Sequence, residues 1–140
     1  MAKTHCQPQE IVLSNHQQGI ECIGIKIQPV PGRTIFVFVI YRQEKAISPV
    51  QFTLAIQTLL GNFFSEEVVI LGDFNQEAGQ SITQGFMKSG FAQLILKPTT
   101  DNGTTIDHIY TKFQTDVELQ TEVINTYYSD HDITSLIVKL

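Results

Sequence analysis

The chain has 140 residues, 42% of them apolar, and a formal net charge of −5 from nine Lys and Arg against fourteen Asp and Glu. This length predicts one domain over residues 1–140 with one hydrophobic core, and the acidic balance excludes a general basic coat for nucleic acid. An enzyme that acts on phosphates remains open, because a metal held by carboxylates brings its own positive charge.

Cysteine content and apolar runs predict the compartment. Cys6 and Cys22 are too few for a disulfide framework or a zinc site, so we interpret both as reduced, non-catalytic thiols. The N-terminus lacks the apolar stretch of a signal peptide, and the longest apolar run, 35–41, is too short to span a bilayer. We therefore expect an intracellular protein, with the nucleus as one possible compartment and no membrane partner.

The first part of the chain predicts strands. Residues 1–10 are polar and are expected to fray, whereas residues 11–13 are a candidate for a short strand. Within residues 20–28 apolar and other residues alternate from Ile23 onward, which predicts a half-buried strand. A turn cluster at 29–32 leads into residues 34–41, whose apolar, β-branched and aromatic side chains predict a central strand.

A helix is predicted after this central strand. Ser48 can cap it, Pro49 fits its first position, and Gln51 completes a capping box. Apolar residues then follow at helical spacing until Gly61 ends the helix. Because an apolar strand comes next, we expect a strand–helix–strand crossover that covers one face of a sheet.

The second half of the chain predicts one more helix and several strands. Ile82, Phe86 and Met87 follow helical spacing up to Gly90, and we expect them to pack in the core. Strands are predicted at 91–96, 104–112, 117–124 and 133–140.

A buried strand that ends in polar residues organises the chain. The apolar run 68–71 is followed by Gly72, Asp73 and Asn75, and residues two apart in an extended chain point the same way. In open α/β sheets, ligands bind at the carboxyl ends of strands, which favours a site here. The alternative interpretation is that Asp73 and Asn75 only form a turn.

Two later stretches add polar groups of matching chemistry. A carboxylate in a half-buried strand needs a donor, and His131 is a candidate partner for Asp107 that would have its tautomer fixed and its basicity raised. Asp130 would then be free to face Mg²⁺, which prefers oxygen ligands. With Asp73 orienting a water and Asn75 donating to a phosphate oxygen, these are the parts of phosphodiester hydrolysis.

Tyr41 and Arg42 end the central strand and allow two interpretations. One is an aromatic plug with a solvated charge. The other is a phenol and a guanidinium beside an anionic substrate, because Arg matches the geometry of phosphate.

Three ordered motifs resemble the C-terminal half of the endonuclease/exonuclease/phosphatase superfamily. They are 71–75 (LGDFN), 105–110 (TIDHIY) and 128–131 (YSDH), and Tyr41 with Arg42 resembles the segment that precedes them. The residues of these motifs are most similar to those of apurinic-type endonuclease domains of mobile elements. The resemblance implies an α/β fold, a partial four-layer α/β sandwich with a mostly antiparallel or mixed sheet and covering helices.

The resemblance also implies catalytic roles. Asp73 would orient or activate the nucleophilic water, and Asn75 would bind the scissile phosphate. Asp107 would pair with His131, which would contact the phosphate or assist proton transfer.

Further positions take supporting roles by the same resemblance. Asp130 would support a site for Mg²⁺, with Mn²⁺ as an alternative. Tyr41 and Arg42 would bind substrate, which would be DNA or another phosphodiester. His108 occupies a variable position and is interpreted as structural.

The chain departs from the family at its N-terminus. The family's N-terminal half supplies an Asn and a principal metal-binding Glu, and neither Glu10 nor Glu21 can take that second role, so we expect an N-terminally truncated domain. Uncovered apolar sheet surface would then promote self-association. Three functions stay open: a DNA endonuclease that is weak or inactive as this chain, a non-catalytic remnant that binds or assembles, and a phosphatase of the same superfamily.

Overall fold

A computed structural model describes residues 7–13 and 17–140. In these residues the strands are β1 (Gln9–Ile11), β2 (Ile20–Val30), β3 (Arg33–Arg42), β4 (Glu67–Asp73), β5 (Ala92–Gln93), β6 (Asp107–Lys112), β7 (Glu118–Ile124) and β8 (Ile133–Lys139). The helices are α1 (Pro49–Leu60) and α2 (Ser81–Lys88), and a short 3₁₀ helix covers Gly61–Phe63.

The strands of the described residues form one large sheet and a separate hairpin. The large sheet, called the main sheet below, has the order β1-β2-β3-β4-β6-β5, and β7 pairs with β8 alone. β3 and β4 run parallel and are joined through α1, whereas the other pairs are antiparallel. The predicted crossover and the predicted mixed α/β class, with a mostly antiparallel sheet and covering helices, are confirmed.

The two faces of the main sheet are covered differently. Both helices pack on one face, whose core is rich in aromatic side chains such as Phe38, Phe52, Phe74 and Tyr110. Each side chain of this size stabilises the fold by about 1.5–3 kcal/mol when it is fully buried. The other face buries a smaller aliphatic cluster under the β7–β8 hairpin, formed by Ile35, Val69, Ile95 and Ile109.

The start of α1 agrees with its sequence signature. The Gln51 backbone N–H donates to Ser48 Oγ at 3.2 Å, and the Ser48 backbone N–H donates to Gln51 Oε1 at 3.3 Å. Pro49 occupies the first turn. This reciprocal cap satisfies donors that a helix leaves free, which stabilises the end by about 1 kcal/mol.

Gly72 is required by a close approach between two strands. Its φ is 150°, and a Cβ at this position would lie 1.8 Å from the carbonyl oxygen of Ile40 on β3. Only glycine fits here without moving the backbone. The chain can therefore keep β4 in register up to Asp73.

Three predicted elements differ in detail. The strand expected at 11–13 lies at Gln9–Ile11 and pairs with β2, so two residues of the stretch expected to fray belong to the sheet, while residues 1–6, including Cys6, lie outside the described residues. The strand expected at 91–96 shrinks to β5, because the Gln93 side chain bonds the backbone of Ile95 and replaces ladder partners. Met87 is 58% exposed rather than part of the core.

Cys22 behaves as a structural thiol. It is unpaired and partly buried, and burial raises its pKa to about 11. A thiol with that pKa stays protonated at neutral pH, which suits the non-catalytic interpretation.

Across the described residues, the helices are too short or too polar to cross a lipid bilayer.

Candidate active site

Three polar side chains from separate parts of the chain meet at one end of the main sheet. Asp73 is the last residue of β4, Asp107 is the first residue of β6, and the two are register partners. His131 lies in the loop between β7 and β8, two residues before β8 begins. Ligand atoms of these three residues lie within 4.8 Å of one another, and we call them the acid–histidine cluster.

Backbone hydrogen bonds bring the His131 segment to the sheet. The Asp101 N–H donates to the Asp130 carbonyl at 3.0 Å, and the Asp132 N–H donates to the Thr99 carbonyl at 2.8 Å. These bonds flank His131 on both sides. Its position is therefore set by main-chain pairing between two loops.

The loop after β4 is fixed in the same way. The Phe74 N–H donates to the Ile106 carbonyl at 2.9 Å, and the Ala78 N–H donates to the Thr105 carbonyl at 2.9 Å. The Glu77 carboxylate in turn accepts the Thr105 N–H at 3.0 Å. Two of the sequence motifs are thus held together by backbone contacts.

Asp107 and His131 form the pair that the sequence suggested. Asp107 Oδ2 lies 2.9 Å from His131 Nδ1, while His131 Nε2 lies 3.8 Å from Asp73 Oδ2. The hydrogen bond to Asp107 raises the pKa of His131, burial opposes the rise, and the charges of Asp107, Asp73 and Asp130 add to it. The imidazole therefore holds a proton more strongly than a free histidine does.

Thr99 supports this pair and was missed by the sequence reasoning. Its side chain is fully buried, its hydroxyl donates to Asp107 Oδ2 at 2.7 Å, and the Asp107 N–H donates to its Oγ1 at 3.2 Å. The residue lies between the predicted strands 91–96 and 104–112, where we predicted neither a helix nor a strand. The sequence did offer one signal: Thr99 has a hydroxyl donor and lies eight positions before Asp107, a carboxylate that needs a donor.

Asp73 lies in a less polar position than a surface carboxylate. Burial raises its pKa, and the neighbouring charge of Asp107 adds to this effect. The Asn75 N–H, which donates to Asp73 Oδ1 at 2.9 Å, and the nearby His131 both act in the opposite direction. A carboxylate with a raised pKa is a stronger proton acceptor than an ordinary aspartate.

Asn75 is placed beside the cluster by an unusual backbone. Its φ of 49° lies in the left-handed region, which Asn tolerates better than most residues. Its amide Nδ2 donates to the Arg42 carbonyl at 2.7 Å. One of the two amide hydrogens is therefore used inside the protein.

Arg42 corrects a prediction. Its side chain is 2% exposed, and its guanidinium donates to the carbonyl oxygens of Phe74, Ile47 and Asn75 at 2.6, 2.6 and 2.7 Å. Burial lowers the pKa of this group. Arg42 ties the loop after β4 to the segment before α1, so its guanidinium faces the protein interior rather than the solvent.

Tyr41 and Asp130 flank the cluster. Tyr41 is the register partner of Asp73 on β3, and its side chain is 41% exposed. Asp130 is exposed, and its carboxylate lies outside the group of ligand atoms that the described residues bring together. The structure therefore leaves Tyr41 available at the site and places Asp130 next to it.

His108, which follows Asp107, belongs to the opposite face of the sheet. Its ring is fully buried, stacks on Phe74 at 4.9 Å, and bonds the Tyr110 hydroxyl at 2.7 Å and the Thr105 carbonyl at 3.0 Å. Burial lowers its pKa. These contacts agree with the structural interpretation of His108.

Two of the three side chains in the cluster suit a hard divalent cation. Asp73 and Asp107 offer carboxylate oxygens, the ligands that Mg²⁺ prefers, and Mg²⁺ often binds through only one or two carboxylates. His131 Nδ1 already bonds Asp107. The two carboxylates could therefore hold such an ion, while the imidazole is held by Asp107 through Nδ1.

Comparison of the sequence finds no matching protein-family model and no matching curated protein. Comparison of the structure does find likenesses. A conserved protein of unknown function from Enterococcus faecalis V583 matches with a TM-score of 0.65 at 16% identity, over 84% of this chain and 55% of that one.

Two further structures carry a family description. An endonuclease/exonuclease/phosphatase family protein from Bacteroides thetaiotaomicron matches with a TM-score of 0.59 at 16% identity, over 82% of this chain and 54% of that one. One from Leptotrichia buccalis C-1013-b matches with a TM-score of 0.59 at 18% identity, over 85% and 54%. The chain spans about half the length of these structures. It has the fold found in endonuclease/exonuclease/phosphatase family proteins, as its three motifs predicted.

Proposed function

We propose that this chain carries the site of a metal-dependent phosphodiester hydrolase, and that its substrate is DNA cut as by an endonuclease. The observation that carries the proposal is the hydrogen-bonded Asp107–His131 pair with Asp73 beside it. The fold shared with endonuclease/exonuclease/phosphatase family proteins supports the same reaction class.

His131 supplies the proton donor. Asp107 and Thr99 fix the imidazole through Nδ1, so the proton on Nε2 lies on the side of Asp73 and the solvent. Because the pKa of His131 is raised, the ring is protonated over more of the neutral range. It would donate to a phosphate oxygen or protonate the oxygen that leaves when the P–O bond breaks.

Asp73 supplies the proton acceptor. A water oxygen would attack phosphorus while its proton passes to Asp73, whose pKa is raised by burial. Asn75 would hold the phosphate with its remaining amide hydrogen, and Tyr41 would lie against it. A bound Mg²⁺ or Mn²⁺, held by Asp107 with Asp130 in support, would neutralise phosphate charge and leave Asp73 to the water.

The assignment of DNA as the substrate comes from the amino-acid sequences of the three motifs. Their similarity to apurinic-type endonuclease domains of mobile elements favours DNA over lipid or inositol phosphates. Such an enzyme would work inside the cell, where the nucleus is the compartment that holds DNA.

A second candidate is a non-catalytic module that binds or assembles. The chain spans about half the length of its structural neighbours, and the face of the main sheet opposite the helices keeps Ile23 and Val39 63% and 48% exposed. Together with an apolar groove of about 310 Å³ under the hairpin, this surface favours self-association. Sedimentation over a concentration series would detect it.

Nicking of supercoiled plasmid DNA separates the two candidates. The assay compares the wild type in Mg²⁺, in Mn²⁺ and in EDTA with Asp73→Asn and His131→Ala. Asp116→Asn is the matched control, since it removes an exposed carboxylate beyond the opposite end of β6.

The endonuclease proposal expects metal-dependent nicking that both cluster variants lose and Asp116→Asn keeps. Nicking that survives Asp73→Asn and His131→Ala would come from another protein. A folded wild type that never nicks DNA and self-associates in the sedimentation series would favour the non-catalytic module.

A further inference from the structure

The loop between β7 and β8, which contains His131, exposes two aromatic rings. Tyr127 is 100% exposed and Tyr128 is 83% exposed. They lie four and three residues before His131 in the chain. Because neither ring is buried in the core, stability does not explain them, whereas Tyr is enriched where proteins bind partners.

A groove of about 620 Å³ between residues 97–101 and the β7–β8 loop is lined in part by Tyr127, and Tyr128 is the next residue of the same loop. Thr100, also in its wall, pairs through its backbone with His131. Lys97 and Asn125 line the same groove and offer donors. A ligand that leaves the cluster along this groove would therefore meet a ring, an ammonium group and an amide.

The charge of the groove indicates how such a ligand would bind. Asp101 and Asp132 line it together with Lys97, and the whole chain has a net charge of −5. Attraction of phosphates alone would therefore be weak. Stacking of bases on aromatic rings needs no net positive charge and is worth about 1–3 kcal/mol per base.

We propose that Tyr127 and Tyr128 form a stacking platform for unpaired bases of a nucleic-acid strand that runs from the cluster along this groove, with Lys97 at one phosphate. The inference rests on the proposed function and adds that the bound DNA exposes unpaired bases next to the cut. Bases paired inside a duplex already stack on each other and cannot cover these rings. Inositol and lipid phosphates carry no flat aromatic base to stack.

Binding measured in EDTA tests the platform without turnover. A dye-labelled single-stranded oligonucleotide and a base-free strand of the same length are titrated with protein and followed by anisotropy. The chain contains no Trp and four Tyr, so quenching of tyrosine fluorescence that the Ala variants lose reports stacking on Tyr127 or Tyr128.

The variants are chosen so that the fold is preserved. Tyr127→Ala and Tyr128→Ala remove the rings, and Tyr127→Phe and Tyr128→Phe keep them without the hydroxyl. Leu54→Ala is the matched control, because Leu54 is 65% exposed on α1, on the other side of the main sheet.

We expect each Ala variant to bind the base-containing strand about 10-fold more weakly and the base-free strand with unchanged affinity. The Phe variants and Leu54→Ala should bind like the wild type. Lys97→Gln should weaken binding of both strands and lower the salt slope by about 1.

Equal losses on both strands, no loss on either, or no binding of single strands by the wild type would overturn the inference. The same variants assayed for plasmid nicking keep it separate from the proposed function. Nicking with unchanged binding in the Ala variants would overturn the platform alone. Tyrosine-dependent binding without any nicking would overturn the hydrolase alone.

Discussion

Strand β6 places two neighbouring residues in opposite environments. Asp107 faces the half-open end of the sheet with His131, whereas His108 points into the aromatic core beneath the helices. The two histidines accordingly differ: His131 is 35% exposed in its side chain and has a raised pKa, and His108 is buried with a lowered one. The same side chain becomes a proton donor or a packing element according to burial and partners.

The comparison divides the molecule by function. The helix face is closed by stacked and edge-on rings around Phe74 and Tyr110. The cluster face stays partly open to solvent, with polar groups held by loops. We therefore expect substitutions on the closed side to change stability, and substitutions in the cluster to change activity.

The largest effect is expected in the cluster. Replacing His131 by Ala removes the proton donor, and nicking should fall by about 10²–10⁴-fold. Because the side chain is partly exposed, the free energy of unfolding should change by less than about 1 kcal/mol.

Asp107→Asn should cost a similar factor, and the double variant should be little worse than either single one, because the two side chains act as a unit. Initial nicking rates and urea denaturation of each variant check this. Fully additive losses would contradict the pairing of Asp107 with His131.

The second largest effect is expected for Arg42, whose burial predicts a role in stability rather than in activity. Arg42→Met leaves two buried carbonyl oxygens and one partly buried one without their donors, and the free energy of unfolding should fall by about 3 kcal/mol. Urea denaturation measures this, with Lys45→Met, an exposed nearby cation, as the matched control. A decrease in the free energy of unfolding below about 1 kcal/mol would contradict the structural role of Arg42 and would favour its interpretation as a substrate ligand.

A smaller effect is expected in the closed network. Tyr110→Phe removes a hydroxyl that bonds both Thr83 Oγ1 and His108 Nδ1 at 2.7 Å. The free energy of unfolding should fall by about 1–2 kcal/mol, since the ring itself remains. Nicking per folded molecule should be unchanged, and a selective loss of activity would show that the two faces are coupled.

Much of the fold was available from local patterns. The capping box of Ser48 and Gln51, the alternation in β2 and the buried run of β4 each reflect contacts within a few residues. The motifs likewise carried Asp73, Asp107 and His131 as members of one site. Short-range patterns and ordered motifs therefore predicted both the element types and the central residues.

The remaining features depend on contacts that no local pattern records. The sequence around Arg42 does not show whether its guanidinium bonds buried carbonyl oxygens or faces a phosphate. The bond from Thr99 to Asp107 joins a loop to a strand across a turn. Met87 is exposed because α2 has only eight residues and already buries Ile82 and Phe86.

The pH dependence of stability follows from the two histidines. A raised pKa in the folded state means that His131 stabilises the protein below pH 6.5, and this contribution is lost as the pH rises through its folded pKa. His108 acts in the opposite direction: its lowered pKa makes the protein less stable as the pH falls below 6.5.

The most direct test is an NMR titration of the imidazole side chains in EDTA, assigned with His108→Gln and His131→Gln. We predict that His131 titrates above pH 6.5 and shifts downward in Asp107→Asn, while His108 titrates below pH 6.5 in both proteins. A His131 that titrates at or below pH 6.5 and ignores Asp107→Asn would contradict the acid–histidine cluster.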